Sequence, residues 1–167
     1  MAILTDDAKK RAELSEFLNQ QNLCESLTLR EVNLLLDFTE LVEFKKGQII
    51  ADIGEVGEAL YFVVKGEAAL VYDNQGQAVE LARVREGELM GEMSFFDREP
   101  RSIRLVAMRP ETRMLRMSRI MYQRLRIEHP FIAVNILEHA VVSLDRLFRR
   151  VSQDVATYSH YVYGGKK

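Results

Sequence analysis

Cysteine is almost absent from this sequence, and so is the chemistry that depends on it. The 167 residues include one cysteine, Cys24. A single thiol cannot close an internal disulfide, and it cannot supply an iron–sulfur cluster or a cysteine-rich zinc site within one chain. The three histidines, His129, His139 and His160, lie far apart and show no metal-ligand spacing. The sequence therefore predicts neither a metal site nor a cofactor.

Long apolar runs and leader features are also missing. No run approaches the roughly 20 residues that a membrane-spanning helix needs. Residues 1–7 become acidic at once and lack the basic and then apolar order of a secretory leader. The formal net charge is −2, which favours no polyanionic partner at the level of the whole chain. We therefore expect a cytoplasmic protein with no membrane partner.

Glycine is scarce at both ends of the sequence and concentrated in its middle. Seven of the nine glycines lie between Gly47 and Gly91, so tight turns should be frequent there and rare on the flanks. Between these glycines, β-prone runs at 60–64, 68–72 and 79–84 predict short strands. Many short strands with regular turns are typical of a sandwich or a barrel-like roll.

The flanks carry helix signals instead. Thr28 and Glu31 have the spacing of a capping box, and Ser118 can cap a later helix. Pro130 suits the first turn of a long final helix, because its missing N–H group costs nothing there. We expect that helix to end near Val155.

Residues 87–102, Gly-Glu-Leu-Met-Gly-Glu-Met-Ser-Phe-Phe-Asp-Arg-Glu-Pro-Arg-Ser, carry the strongest chemical signal. Arg101 offers a planar, permanently charged fork that matches a phosphate. Backbone amides in the turn after Gly91 can point at the same anion. Glu92 only accepts hydrogen bonds, so it can bind a sugar hydroxyl. A phosphate together with a ribose hydroxyl indicates a nucleotide.

This segment resembles the phosphate-binding cassette of the cyclic nucleotide-binding domain, and we call it the cassette segment. The family pattern is Gly-Glu with apolar and small residues, a few variable positions, and then Arg-(Ala/Ser/Thr)-Ala. Residues 91–96 match its first part, and Arg101 and Ser102 match its second. Ile103 and Arg104 depart from the small residue and the Thr, Ser or aromatic residue that are usual there.

The resemblance covers roughly residues 27–155, because segments 44–50, 54–57 and 60–67 also match the family's earlier strands and turns in order. This domain occurs in catabolite-activator-type transcription factors, in regulatory subunits of cyclic-nucleotide-dependent kinases and in cyclic-nucleotide-gated channels. The resemblance implies a mainly β fold: an eight-stranded jelly-roll-like β-roll, N-terminal helices and a long C-terminal helix. It places a helical extension at 1–26 and the binding domain, with its C-terminal helices, at 27–167.

The resemblance also implies a ligand, cyclic AMP (cAMP) or cyclic GMP (cGMP), and a set of contacts. The phosphate would be bound by Met93, Ser94, Arg101 and Ser102. The ribose would be bound by Gly91 and Glu92. The candidates for contact with the base lie on the final helix and are Leu144, Leu147, Phe148 and Val151.

The apolar surface of the predicted final helix is broad. Its members recur mainly at spacings of three and four residues, and Leu137, Val141 and Val142 widen the stripe. Such a surface can contact the roll on one side and a second protomer on the other. We therefore expect a homodimer through the C-terminal helix.

The sequence contains no nucleophile motif and no phosphate loop of the NTPase type, so no catalytic activity is expected. The transcription factors of the family carry a helix-turn-helix module after the final helix. Only about a dozen residues follow Val155, too few for two helices and a turn, so no direct DNA binding is expected. We predict a sensor that signals through its helices to an unknown downstream protein. The alternative is a dimerising protein-interaction module with the same fold and a vestigial or altered pocket.

Overall fold

The computed structural model describes residues 2–164 and contains eight strands and five α-helices in that range. The strands are β1 (Glu40–Phe44), β2 (Ile49–Ala51), β3 (Ala59–Lys65), β4 (Glu67–Asn74), β5 (Gln77–Arg85), β6 (Leu89–Met90), β7 (Ile103–Ala107) and β8 (Thr112–Ser118). The helices are α1 (Ala2–Asn19), α2 (Leu29–Leu36), α3 (Glu92–Asp97), α4 (Arg119–Glu128) and α5 (Pro130–Tyr163), with a short 3₁₀ turn at Asn22–Cys24. The predicted β-roll with flanking helices is confirmed.

The strands form two antiparallel sheets of four, in the orders β1-β8-β3-β6 and β2-β7-β4-β5. A two-residue turn joins β4 to β5, with φ values of 53° at Gln75 and 87° at Gly76. Two positive φ values define the turn type whose twist matches an antiparallel hairpin. The carboxylate of Asp73 accepts a hydrogen bond from the amide of Gly76 at 2.7 Å. This is one of the tight turns that the central glycines lead us to expect.

Strand β3 separates two apolar clusters. Its residues Leu60 and Phe62 belong to the cluster shared with the helices, and Tyr61 and Val63 belong to the cluster between the sheets. Successive side chains of a strand point to opposite faces. Because both faces of β3 are buried, its sequence is continuously apolar rather than alternating. Burial of each such side chain contributes roughly 1.5–3 kcal/mol, so β3 anchors both layers.

Local capping signals form as the sequence predicts. The Thr28 hydroxyl accepts a hydrogen bond from the amide of Glu31 at 3.3 Å, and the Glu31 carboxylate accepts one from the amide of Thr28 at 2.7 Å. The Ser118 hydroxyl accepts one from the amide of Met121 at 3.3 Å. These contacts satisfy amides at the first turns of α2 and α4.

Helix α5 is longer than expected. It spans 34 residues and ends at Tyr163, so the predicted end near Val155 was wrong. No glycine or proline interrupts the chain between Val155 and Gly164, and the helix continues until that first breaker. Within residues 2–164, none of the helices is long and apolar enough to cross a membrane.

Helix α1 and the 3₁₀ turn belong to the helical layer. Leu18 and Leu23 are buried in the same cluster as Ile136 of α5. Arg11 of α1 donates a 2.7 Å hydrogen bond to the carboxylate of Asp37, just after α2. The predicted division between residues 26 and 27 stays a prediction.

Candidate functional site

A cavity of about 250 Å³ lies between the second sheet, the cassette segment and the middle of α5. Its sheet side is mostly apolar and includes Leu70, Ala82, Val84 and Leu105. Its cassette side carries the polar and charged groups. An apolar wall facing a few convergent polar groups is the usual make-up of a small-molecule site.

The cavity brings together most of the residues that the sequence predicts to bind a ligand. These are Gly91, Glu92, Met93, Ser94, Arg101, Ser102, Leu144 and Leu147. They come from α3, from the chain just before β7 and from α5, so only the fold makes them neighbours.

Phe148 and Val151, two of the four predicted base contacts, do not line the cavity, and their contact with a base stays a prediction. Successive residues of an α-helix are separated by about 100° around its axis, since one turn takes 3.6 residues. When Leu147 faces the cavity, Phe148 is therefore turned well away from it. Phe148 is 72% exposed and Val151 is 39% exposed.

The start of α3 depends on Gly91 and Ser94. Gly91 has a φ of 91°, a left-handed conformation that glycine adopts without steric cost. The Ser94 hydroxyl accepts a hydrogen bond from the amide of Gly57 at 2.6 Å and donates one to the carbonyl of Glu99 at 2.6 Å. Its only proton is therefore engaged. The Ser94 side chain therefore joins the loop at Gly57 to the end of the cassette segment.

Arg101 is fixed through its backbone, and its side chain is half-buried. Its amide donates to the carbonyl of Glu55, and its carbonyl accepts from the amide of Gly54, both at 2.8 Å. Among the described residues, no hydrogen bond and no ion pair within 4.0 Å engages its guanidinium. Burial lowers the pKa of this group, while Tyr61, Glu55 and Glu92 oppose that shift. A half-buried cation without a paired carboxylate is suited to bind an anion.

Glu92 is buried, with 6% of its surface exposed, and it lines the same cavity. Burial raises the pKa of its carboxyl group; the Ser143 hydroxyl, its own amide and Arg101 act in the opposite direction. Its Oε1 atom has no hydrogen-bond partner within the described part of the chain. Leaving a buried acceptor unsatisfied costs roughly 1–3 kcal/mol, so this oxygen is available to a ligand hydroxyl.

Several cavity residues were missed by the sequence analysis: Arg83 on β5, and His139, Ser143, Arg146 and Arg150 on α5. The four on α5 share one helical face, and their recurrence at three- and four-residue steps could have indicated this. His139 is half-buried, and burial lowers its pKa, with Arg146 adding to that shift.

The two departures from the family pattern have different consequences. Ile103 lines the cavity. Arg104 does not, because its Nε donates to a carboxylate oxygen of Asp52 at 2.6 Å. In the described part of the chain, no group of three or more His, Cys, Asp or Glu side chains is placed to hold a metal ion.

Residues 41–129 match the family profile described as "Cyclic nucleotide-binding domain". The chain belongs to the cyclic nucleotide-binding domain family. It is 32% identical over 145 residues to the cyclic AMP receptor protein of Thermus thermophilus, a match that covers 82% of this chain and 67% of that protein. It is 27% identical over 106 residues to a cAMP-dependent protein kinase regulatory subunit of Mucor circinelloides, covering 64% of this chain and 25% of that protein.

The fold also agrees with solved structures of the family. A cyclic nucleotide-binding domain from Methylobacillus flagellatus superposes with a TM-score of 0.77 at 24% identity, covering 90% of this chain and 84% of that one. The chain spans a quarter or less of the length of the fungal kinase regulatory subunits that it matches. Family membership therefore describes a binding domain, which relatives combine with further segments.

Proposed function

We propose that this chain is a cyclic nucleotide sensor without catalytic activity, with cAMP or cGMP as its ligand. The observation that carries the proposal is that Glu92 and Arg101 line the same cavity. Among the described residues, the buried Oε1 of Glu92 has no hydrogen-bond partner and the guanidinium of Arg101 has no ion pair. Arg101 binds the cyclic phosphate, and Glu92 accepts a hydrogen bond from the ribose 2′-hydroxyl. The names of the bacterial and fungal relatives, which refer to cAMP, support this assignment.

The remaining cavity surface suits a purine base. Leu144 and Leu147 of α5 line the cavity together with Ala82 and Val84 of β5, and a base in contact with these side chains would bury apolar area. A nucleotide held in this way contacts the cassette segment and α5 together. It therefore stabilises the arrangement in which the two lie close, and the population shifts toward that arrangement. The signal then passes through α5 to an unknown downstream protein.

Calorimetric titration with cAMP and with cGMP tests the sensor. Truncating one partner of a buried, hydrogen-bonded charge pair costs roughly 2–5 kcal/mol, so Arg101→Ala should weaken binding at least about tenfold. Arg104→Ala is the matched control, because it removes a nearby guanidinium that is paired with Asp52 and does not line the cavity. Wild-type affinity in Arg101→Ala would refute the phosphate assignment. A wild type that binds neither nucleotide would favour the interaction module with a vestigial pocket.

A second proposal concerns the partner, which we infer to be another copy of this chain, with no direct contact to DNA or membrane. Helix α5 carries a strict seven-residue repeat at Val134, Val141, Phe148, Val155 and Val162, and a second one, offset by three residues, at Leu137, Leu144, Val151 and Tyr158. Apart from half-buried Leu144, these side chains are 39–72% exposed.

This double repeat favours a parallel, two-stranded coiled coil. β-Branched residues at the first core position and leucine at the second are typical of such dimers; here four of the five first positions are valine and two of the four second positions are leucine. The repeat also accounts for the exposure of Phe148 and Val151, which lie on the face that a partner helix would cover. Light scattering should give the mass of a dimer for the wild type. A monomeric mass at high protein concentration, with and without nucleotide, would refute this proposal.

A further inference from the structure

Arg119, the first residue of α4, does not line the cavity, yet it contacts the elements that form the phosphate side. Its guanidinium donates a hydrogen bond to the carbonyl of Gly57 in the loop between β2 and β3. Its Nε lies 3.5 Å from the carboxylate of Glu58, and its Cζ lies 4.6 Å from the centre of the Phe95 ring. The side chain is only 17% exposed. One arginine thus joins α4, the β2–β3 loop and α3.

Gly57 itself is enclosed by the cassette segment. A Cβ atom at this position would lie 2.6 Å from the nitrogen of Phe95, 2.7 Å from the carbonyl carbon of Ser94 and 3.0 Å from Nη2 of Arg101. Real Cβ atoms do not approach backbone atoms so closely, so glycine is needed here for close approach of two chain segments. The loop therefore forms one wall against the Arg101 guanidinium, and its position decides where that group can lie.

We propose that Arg119 is a positioning residue for phosphate binding: it holds Gly57 against α3 and thereby fixes the guanidinium of Arg101. This inference rests on the proposed function, which assigns the phosphate to Arg101. A bound nucleotide need not contact Arg119, because the effect passes through Gly57 and through Phe95, on whose ring the guanidinium stacks. Phe95 also contacts Tyr122 of α4, with ring centres 5.5 Å apart, so α3 and α4 are joined at two points.

The consequence is a link between helix α4 and nucleotide affinity. Any displacement of the first turn of α4 carries Arg119 with it and releases Gly57. Thermodynamic linkage is reciprocal, so a bound phosphate that fixes Arg101 also favours the position of α4 in which Arg119 reaches Gly57.

The first test is nucleotide affinity in Arg119→Ala, with Arg124→Ala as the matched control. Arg124 also lies on α4, stacks over an aromatic ring (Phe38, at 5.5 Å) and pairs with Glu128 at 2.9 Å. Its hydrogen bonds, ion pairs and ring contacts within the described part of the chain involve neither the loop nor α3. Loss of a hydrogen bond made by a charged group should weaken binding about tenfold in Arg119→Ala. The control should change affinity by less than about twofold, as expected for an exposed ion pair.

A double-mutant cycle separates positioning from general stability. If Arg119 acts through Arg101, the double variant Arg101→Ala, Arg119→Ala should bind no more weakly than Arg101→Ala alone. Additive losses would overturn the inference. The inference would also be overturned if Arg119→Ala lost as much affinity for adenosine, which lacks the phosphate, as for the cyclic nucleotide.

Amide hydrogen exchange on the ligand-free protein tests the same contact without nucleotide. The amides of Gly57 and Phe95 should exchange faster in Arg119→Ala than in the wild type or in Arg124→Ala, since local opening becomes easier. Unchanged exchange would overturn the inference whatever the affinity. Faster exchange in a protein that binds no nucleotide would support the positioning role and refute the sensor. If Arg119→Ala does not fold, Arg119→Lys, which cannot both stack on Phe95 and reach Gly57, receives the same measurements.

Discussion

Replacing Glu92 with glutamine removes a buried charge and keeps the shape of the side chain. The carboxylate of Glu92 is buried, and one of its oxygens has no hydrogen-bond partner among the described residues. A buried acceptor left unsatisfied costs roughly 1–3 kcal/mol, and a charged one costs more than a neutral amide. Glu92→Gln should therefore raise the free energy of unfolding at neutral pH by about 1 kcal/mol. It should also weaken nucleotide binding by roughly ten- to hundredfold, because a hydrogen bond to a charged group contributes about 1.5–3 kcal/mol.

The raised pKa of Glu92 determines whether its contribution to stability rises or falls with pH. Burial raises the pKa of Glu92 above the usual 4.5, so between the unfolded and the folded pKa the native state binds more protons than the unfolded state. Stability then falls as pH rises through that window. Asp52 and Glu111 have lowered pKa values, because they accept hydrogen bonds from Arg104 and Lys65, and they contribute the opposite slope. The contribution of Glu92 to the pH dependence is therefore obtained by subtracting the unfolding free energy of the wild type from that of Glu92→Gln at each pH.

Urea unfolding from pH 4 to pH 8 measures that difference, and calorimetry on the same samples measures binding. The stability gain of Glu92→Gln should be small at the acidic end and grow as pH rises. Glu13→Gln, an exposed carboxylate on α1, is the control and should change neither quantity. The reasoning is refuted if Glu92→Gln is less stable than the wild type at neutral pH and the stabilities of the two proteins change with pH in the same way. Glu92 would then not be a destabilising buried acceptor in the absence of a ligand.

Two further predictions concern the faces of the helices. Phe148→Glu should give a folded monomer by light scattering and circular dichroism. Leu147→Glu, one residue earlier, should instead place its charge in the cavity wall and abolish nucleotide binding. The same outcome for both variants would refute the assignment of these two residues to different faces of α5. Burial raises the pKa of the Cys24 thiol to about 12, so a thiol reagent at pH 8 should label the native protein far more slowly than the urea-unfolded protein. Rapid labelling of the native form would show that the helical layer opens readily.

The parts of the fold that the sequence predicts well are those set by local chemistry. The capping box at Thr28 and the turn at Gly76 are decided by residues close in sequence, so their signals can be read directly. The cassette segment was recognisable for the same reason, because residues 91–102 contain both Glu92 and Arg101. The end of α5 is also set locally, because the helix stops just before its first glycine. The sequence analysis placed that end too early, near Val155.

What the sequence could not provide was the assignment of faces on α5. A helix with apolar residues on most sides does not reveal which stripe meets the roll, so Phe148 was grouped with Leu147. The phase is fixed by tertiary contacts, such as the burial of Ile136 and Ala140 against the roll. The role of Arg119 could not be predicted from the sequence either, because its contacts with Gly57 and Phe95 join positions that are far apart in the chain.

Helix α5 links the two proposals, and the positions of its residues indicate how. Leu144 belongs to the seven-residue repeat and also lines the cavity, so ligand and partner helix meet at this level. Beyond residue 151 every described position of α5 is exposed and none lines the cavity, yet the repeat continues through Val155, Tyr158 and Val162. The repeat therefore extends beyond the level at which a ligand would contact α5. We therefore expect nucleotide binding to change the geometry of a standing dimer near Leu144 rather than to create the dimer, and cross-linking through cysteines introduced at position 155 should be equally efficient with and without nucleotide.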